Sequence, residues 1–241
     1  MRMLLAVALT AASSWAMAQP SPAGPPPPAT LQVTGQAQVS EAPDRVYIDI
    51  GVTTQAQKSQ AAASENAKRL ADVIAALKRA AGTGAQLTTT EYSVAPRYTY
   101  PRNGGAPTVV GYTASNGVRV RLDDLGRVGR VIDAATEAGS NNIQDIRFAL
   151  RDEQGPRSEA LREAARYARQ DADALAGALG LRIVRVLAVG EQGPEARPVP
   201  IYAQAMATVS AARAVPSPVE AGAIDVSATV TLTVEVAPAK R

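Results

Sequence analysis

Histidine and cysteine are both absent from the 241 residues. Without imidazole or thiol, the Ser-His-Asp and Cys-His nucleophile systems, imidazole or thiolate zinc sites, haem and iron–sulfur ligation lack their essential groups. No disulfide can staple the fold, and no cysteine can carry a lipid anchor. Aromatics are scarce: one Trp, one Phe and seven Tyr. The single Trp is Trp15, so a sugar-binding platform built on Trp is excluded if the leader is removed. Charge is nearly balanced, 25 Lys and Arg against 22 Asp and Glu, and a net +3 is too slight for a nucleic-acid footprint. Beyond the amino-terminal segment no run is long and apolar enough to span a bilayer as a helix, so the mature chain is expected to have no transmembrane segment.

What is present is a core-forming composition. At 46% hydrophobic and 20% charged the chain is neither disordered nor fibrous, and a chain of this size can bury roughly 70% of its unfolded surface. Met1-Arg2-Met3, an apolar stretch over residues 4–12 and Ala16-Met17-Ala18 before Gln19 form a secretory leader pattern, with cleavage expected near Ala18/Gln19 and a periplasmic destination. Residues 1–18 are thus read as a signal peptide. Residues 19–29, with Pro25-Pro26-Pro27-Pro28, read as an extended tether.

The body, residues 30–238, opens with Leu31, Val33, Ala37 and Val39 alternating against polar neighbours, and Val46, Ile48, Ile50 and Val52 repeat the period after Pro43-Asp44. These predict two strands, expected to form a hairpin. Leu70, Val73, Ile74 and Leu77 then fall at helical spacing, with Gly82 as the stop. Strands are predicted over residues 86–100 and 109–122, joined by a turn-rich loop, with Asn116 set in an otherwise apolar row and Asn116-Gly117 marking a bulge. Asp123 or Asp124 caps a second helix with Leu125, Val128, Val131, Ile132 and Ala135 as its stripe. Ile143, Ile146, Phe148 and Leu150 make an imperfectly alternating strand. A third helix, about 158–179, turns Leu161, Ala164, Ala165, Ala168, Ala172, Leu175 and Leu179 inward and ends at Gly180. Residues 183–189 are apolar on both faces, as expected of a central strand. Residues 190–222 read as a long loop. Ile224, Val226, Ala228, Val230, Leu232, Val234 and Val236 alternate cleanly in a last strand.

This order predicts an α+β fold: an antiparallel β-sheet with about three helices packed on it. Whether the body is one unit or two lobes, about 30–122 and 123–238, stays open. Val33-x-Gly35 through Pro43-Asp44, Val110-Gly111-Tyr112-x-Ala114-x-Asn116-x-Val118-x-Val120, Ile143-x-x-Ile146-x-Phe148 and the Ala-rich helix running into Leu179-Gly180-Leu181 together resemble the SIMPL-domain family of exported bacterial proteins, over about residues 31–236. The resemblance implies α+β subunits, ring- or channel-like assembly in some members, and links to envelope homeostasis or protection against oxidative stress. It carries over no catalytic residue and no cofactor.

Three enzymatic routes survive the missing residue types. Carboxylate pairs, Asp123-Asp124, Asp152-Glu153 or Asp171-Asp173, suit hydrolysis, and a periplasmic hydrolase is the alternative reading. Each pair also has a structural role: helix cap, turn, and a charged helix face with Arg169 and Asp173 four apart. Ser64 and Lys68 mimic a Ser-Lys dyad, but an exposed helix face cannot lower a lysine pKa. The third route, an oxygen-ligand Ca²⁺ site, lacks the alternating acidic loop it needs. The expectation is therefore a non-catalytic homo-oligomer or interaction protein, without cofactor or metal. Its contact residues are sought in the tyrosine cluster of Tyr92, Tyr98, Tyr100 and Tyr112, chiefly Tyr98 and Tyr100 at the hairpin end, and in Tyr202 and Met206 of the long loop.

Overall fold

The computed structural model describes residues 28–102, 104–192 and 221–239. Seven strands and three helices follow one another: β1 (Thr30–Glu41), β2 (Arg45–Ala56), α1 (Ser59–Ala81), β3 (Gln86–Thr99), β4 (Thr108–Leu122), α2 (Val128–Glu137), β5 (Asn142–Ala149), α3 (Gln154–Ala178), β6 (Leu181–Gln192) and β7 (Ile224–Pro238). The α+β expectation holds, and every sheet pairing is antiparallel. The strands form two sheets, however, in place of one: β3-β4-β2-β5 and β1-β7-β6.

The expected β1–β2 hairpin is absent. β1 pairs along its length with β7, from Thr30↔Glu235 to Glu41↔Ile224, while β2 lies between β4 and β5. The link between them, residues 42–44, passes from one sheet to the other. It is held where the Asp44 amide donates to the Ala149 carbonyl and the Arg151 amide donates to Asp44 Oδ1 at 2.7 Å. The two cores are therefore interleaved along the chain and do not correspond to consecutive halves meeting at residue 122.

The larger core follows its sequence periods. Val46, Ile48, Ile50 and Val52 of β2 and Val118, Val120 and Leu122 of β4 face Leu70, Val73 and Leu77 of α1 and Val128, Val131, Ile132 and Ala135 of α2. Strand period two and helix period 3.6 bring every one of these to the same interior. A 3₁₀ turn (Leu125–Arg127) precedes α2, and Asp124 caps it by accepting from the Gly126 amide at 3.1 Å. The uneven alternation of β5 has a simple cause: Asp49 faces Asp145 but Ile50 faces Ile143, so Gln144 is bulged out and Ile143 changes sides.

The smaller core differs in kind. The inward stripe of α3 is Ala160, Ala164, Ala168, Ala172 and Ala176, all buried. Leu175 and Leu179, expected inward, are exposed. A stripe of one methyl per turn lets the helix backbone come down onto the sheet, and Gly35 of β1 completes the approach. A Cβ on Gly35 would sit 2.1 Å from the Ala164 carbonyl oxygen and 2.4 Å from the Ala168 nitrogen. The helix ends as its sequence implies, with Gly180 at φ 69° donating its amide to the Gly177 carbonyl.

Strand β6 departs most from expectation. It is an edge strand, not a central one, and it carries two bulges, because the register skips Val184 and Leu187. These bulges, and not burial on both sides, explain its two-faced apolar sequence: Val184, Val186, Leu187 and Val189 all reach solvent. β7 is the central strand here, with Val226, Ala228, Val230, Leu232, Val234 and Val236 all buried.

Candidate functional site

Tyr92, Tyr98 and Tyr112 lie on the β3–β4 hairpin, at the β3 edge of the four-stranded sheet, with Tyr100 just past the end of β3. The β2–β4 pairing stops at Ala56↔Tyr112, but the β3–β4 pairing continues from Pro96↔Tyr112 to Thr99↔Thr108. The two ends of that pairing, residues 97–102 and 104–111, therefore form a two-stranded arm with no third strand beside it among the described residues. β3 is exposed at every position except the half-buried Leu87. On and beside the arm Tyr98 is 49% exposed, Tyr100 75%, and Val109 and Val110 are also open; Tyr92 and Val94 extend the apolar strip along β3. Tyr112 faces Pro96 across the strands, not another tyrosine, so the aromatics are not stacked into a cross-strand ladder. The skip from Arg97↔Gly111 to Tyr98↔Val109 puts a bulge at Val110, which twists the arm at its root. There Arg97 donates to the Gln55 side chain at 2.5 Å.

Tyr98 and Tyr100 are thus brought together on the arm. Tyr202 and Met206 lie outside the described residues. Sequence reasoning missed β6 as the second apolar edge; the signal was already present in Arg185, a charge inside the otherwise apolar run from residue 183 to 189.

The bulge expected at Asn116-Gly117 occurs at that level of the sheet, but on the partner strand. Thr89 pairs with Val118 and Glu91 with Gly117, leaving Thr90 extra. The Asn116 amide oxygen is buried without a hydrogen-bond partner among the described residues. A second interior amide, Asn66 of α1, went unnoticed in the sequence although it lies four residues before Leu70 on the helix stripe. Its Nδ2 donates to the Val52 carbonyl at 2.7 Å and the Ala114 carbonyl at 2.9 Å, while Thr54 Oγ1 donates back to the Ala62 carbonyl at 2.7 Å. These bonds dock α1 onto β2 and β4.

Each carboxylate pair has at least one member engaged structurally. Asp123 accepts from Arg45 Nε at 2.8 Å with Arg151 3.8 Å away, and the Arg45 hydrogen bond holds its carboxyl below the usual aspartate range. Asp124 is lowered in the same way by Arg127. Both line a cleft of about 350 Å³ with Arg127, Leu122 and Thr83. A glycoside hydrolase needs one carboxyl held protonated, and here both are pushed toward the anion. Asp152 accepts from the Gln154 amide at the start of α3, and Asp173 pairs with Arg169 at 2.9 Å, the i,i+4 contact read from the sequence. Ser64 and Lys68 are both exposed on α1. Among the described residues no group of three or more acidic side chains gathers in a metal-binding arrangement. No described helix is long and apolar enough to cross a membrane.

Comparison with known proteins places this architecture. Residues 31–234 match the SIMPL family, described as a protein family of unknown function (DUF541). The chain is 29% identical over 188 residues to the 26 kDa periplasmic immunogenic protein of Brucella melitensis, covering 77% of this chain and 75% of that one. The protein of the same name in Brucella abortus matches to the same extent. An uncharacterized protein YggE of Edwardsiella ictaluri is 26% identical over 156 residues, 65% of each chain. The match spans both sheets and all three helices, and the chain belongs to the SIMPL family.

Proposed function

We propose that this protein is an exported, periplasmic, non-catalytic subunit that acts by associating with copies of itself through the β3–β4 arm, in the service of envelope homeostasis or stress protection. The observation that carries the reading is the arm itself. An isolated two-stranded ribbon is at best marginally stable in water, and a third strand or a packed face is what normally secures it. Among the described residues nothing supplies either to the arm, yet it holds Tyr98, Val109 and Val110 in the open, with Tyr100 beside them. Tyrosine is favoured at the centre of interfaces, because its ring buries area while its hydroxyl still finds a partner. Export is supported by the periplasmic naming of the Brucella relatives and by the leader pattern, whose residues lie outside the described ones.

The second apolar edge, β6, is a different surface from the arm. When two unlike patches of one chain meet head to tail, the contact repeats and closes into a ring if the rotation allows. This supports a ring in preference to a two-fold dimer. Static light scattering of the mature protein tests the reading. The expected result is a multiple of the subunit mass, falling toward the monomer in Tyr98→Ser/Tyr100→Ser. A native mass equal to one subunit at micromolar concentration, or an assembly untouched by the double substitution, would refute it.

A further inference from the structure

The outer face of the four-stranded sheet, opposite α1 and α2, carries charge in rows that follow the strand register. In one row Asp49 of β2 faces Arg119 of β4, and Arg119 grips it with two bonds of 2.7 Å. Four residues back along β2, Arg45 is bound to Asp123. Between them runs the row Arg121–Tyr47–Arg147, since Tyr47 is opposite Arg121 on β4 and opposite Arg147 on β5. This row has no acid of its own. Among the described residues neither Arg121 nor Arg147 forms an ion pair, whereas Arg45 and Arg119 on either side of them do. The Arg147 guanidinium stacks over the Tyr47 ring at 4.9 Å, and Arg121 has a buried Nε–H with no acceptor. Asp145, on β5 beside Asp49, has no arginine bound to it among the described residues, and it belongs to the Arg119 row.

Adjacent strands are about 4.8 Å apart, so the two unpaired arginines rise from backbone roughly 10 Å apart with the phenol between them. Two guanidinium groups without carboxylate partners, set on either side of a tyrosine, suit an oxyanion with three or more oxygens, which can accept from both at once; a single carboxylate has too few oxygens to engage both fully. The geometry points to a phosphate-binding site at Arg121, Tyr47 and Arg147 on the outer sheet face, for a phosphoryl group carried either by a soluble molecule or by a lipid headgroup. The site lies on strands away from the arm and does not depend on the association reading.

The test uses the whole mature protein at physiological salt. Calorimetric titration with inorganic phosphate is expected to show saturable binding, weakened roughly tenfold in Arg121→Gln or Arg147→Gln and also in Arg147→Lys, which keeps the charge but loses the fork. Arg185→Gln is the charge-matched control, because Arg185 is paired with Glu235 at 2.6 Å on the other sheet; it should bind as wild type. Flotation with vesicles of phosphatidylglycerol in phosphatidylcholine, against phosphatidylcholine alone, separates the sources. Flotation that needs phosphatidylglycerol and is lost in Arg147→Gln assigns the headgroup, whereas phosphate binding without flotation assigns a soluble ligand. Circular dichroism melts establish that the variants fold, and the exposed Arg147 carries the test should Arg121→Gln unfold. No saturable phosphate uptake together with no lipid-dependent flotation would overturn the proposal, as would an equal loss in Arg185→Gln.

Discussion

Gly35→Ala isolates the packing that joins α3 to its sheet. The added methyl would lie 2.1 Å from the Ala164 carbonyl oxygen, where ordinary contact begins near 3.4 Å, and its neighbours at 2.4 and 2.9 Å are the nitrogen and Cβ of Ala168. Both of the closest atoms are helix backbone, so no rotamer change relieves the clash. The helix must retreat by about 1.3 Å along that contact, and a radial gap of 0.5–1 Å already forfeits a quarter to a half of a dispersion contact. All five alanines of the stripe sit at that interface. Overpacking of a tight core costs about 1–3 kcal/mol, and a backbone obstruction belongs at the upper end, so the expected loss is about 3 kcal/mol. For a domain of this size that is a fall in Tm of roughly 6–12 °C. Urea unfolding followed by far-ultraviolet circular dichroism measures it. Adding Ala168→Gly should restore only part of the loss, because it removes the 2.9 Å contact and leaves the carbonyl in place. A Gly35→Ala variant within about 0.5 kcal/mol of wild type, the usual span of an innocuous surface change, would refute the close-approach reasoning.

Two further predictions address the larger core and its rim. Asn66→Ala leaves the Val52 and Ala114 carbonyls without their side-chain donor, and at about 1–3 kcal/mol for each buried group left unsatisfied the variant should lose about 2–6 kcal/mol in the same urea assay; a loss below about 1 kcal/mol would contradict the docking role. Asp123 has its folded pKa held below the ordinary value of 3.8 by Arg45, so its contribution is present above the unfolded value and disappears as pH falls through the folded one. The stability gap between wild type and Asp123→Asn should therefore be constant near neutrality and close in acid, and a gap that persists in strong acid would rule this out.

Much of the larger core could be read along the chain because its signals are local. The stripe of α2 and the alternation of β4 and β7 reappear as burial, and the Asp124 cap and the Arg169–Asp173 pair stand where spacing puts them. What escaped depends on partners far away in sequence. β1 reads as half of a hairpin with β2, yet its ladder is with β7 nearly two hundred residues on, and nothing within residues 30–56 encodes that choice. The alanines of the expected α3 stripe, Ala164, Ala168 and Ala172, are buried, but Leu175 and Leu179 face water, because with Gly35 beneath the helix only small side chains fit inward. The apolar sequence of β6 has two readings, burial on both faces or a bulged edge, and only the register separates them. On the candidate surface, Tyr98 and Tyr100 were legible as aromatics near a turn. The row of Arg121, Tyr47 and Arg147 was not, since it unites three strands only once their registers are known.

Amide hydrogen exchange over residues 97–111 of the mature protein, measured across a dilution series, tests the role of the arm most directly. If the arm is covered by another copy, its amides exchange slowly when concentrated and lose protection on dilution, in step with the fall in native mass. Fast exchange at every concentration would contradict association through the arm, as would protection that dilution leaves untouched.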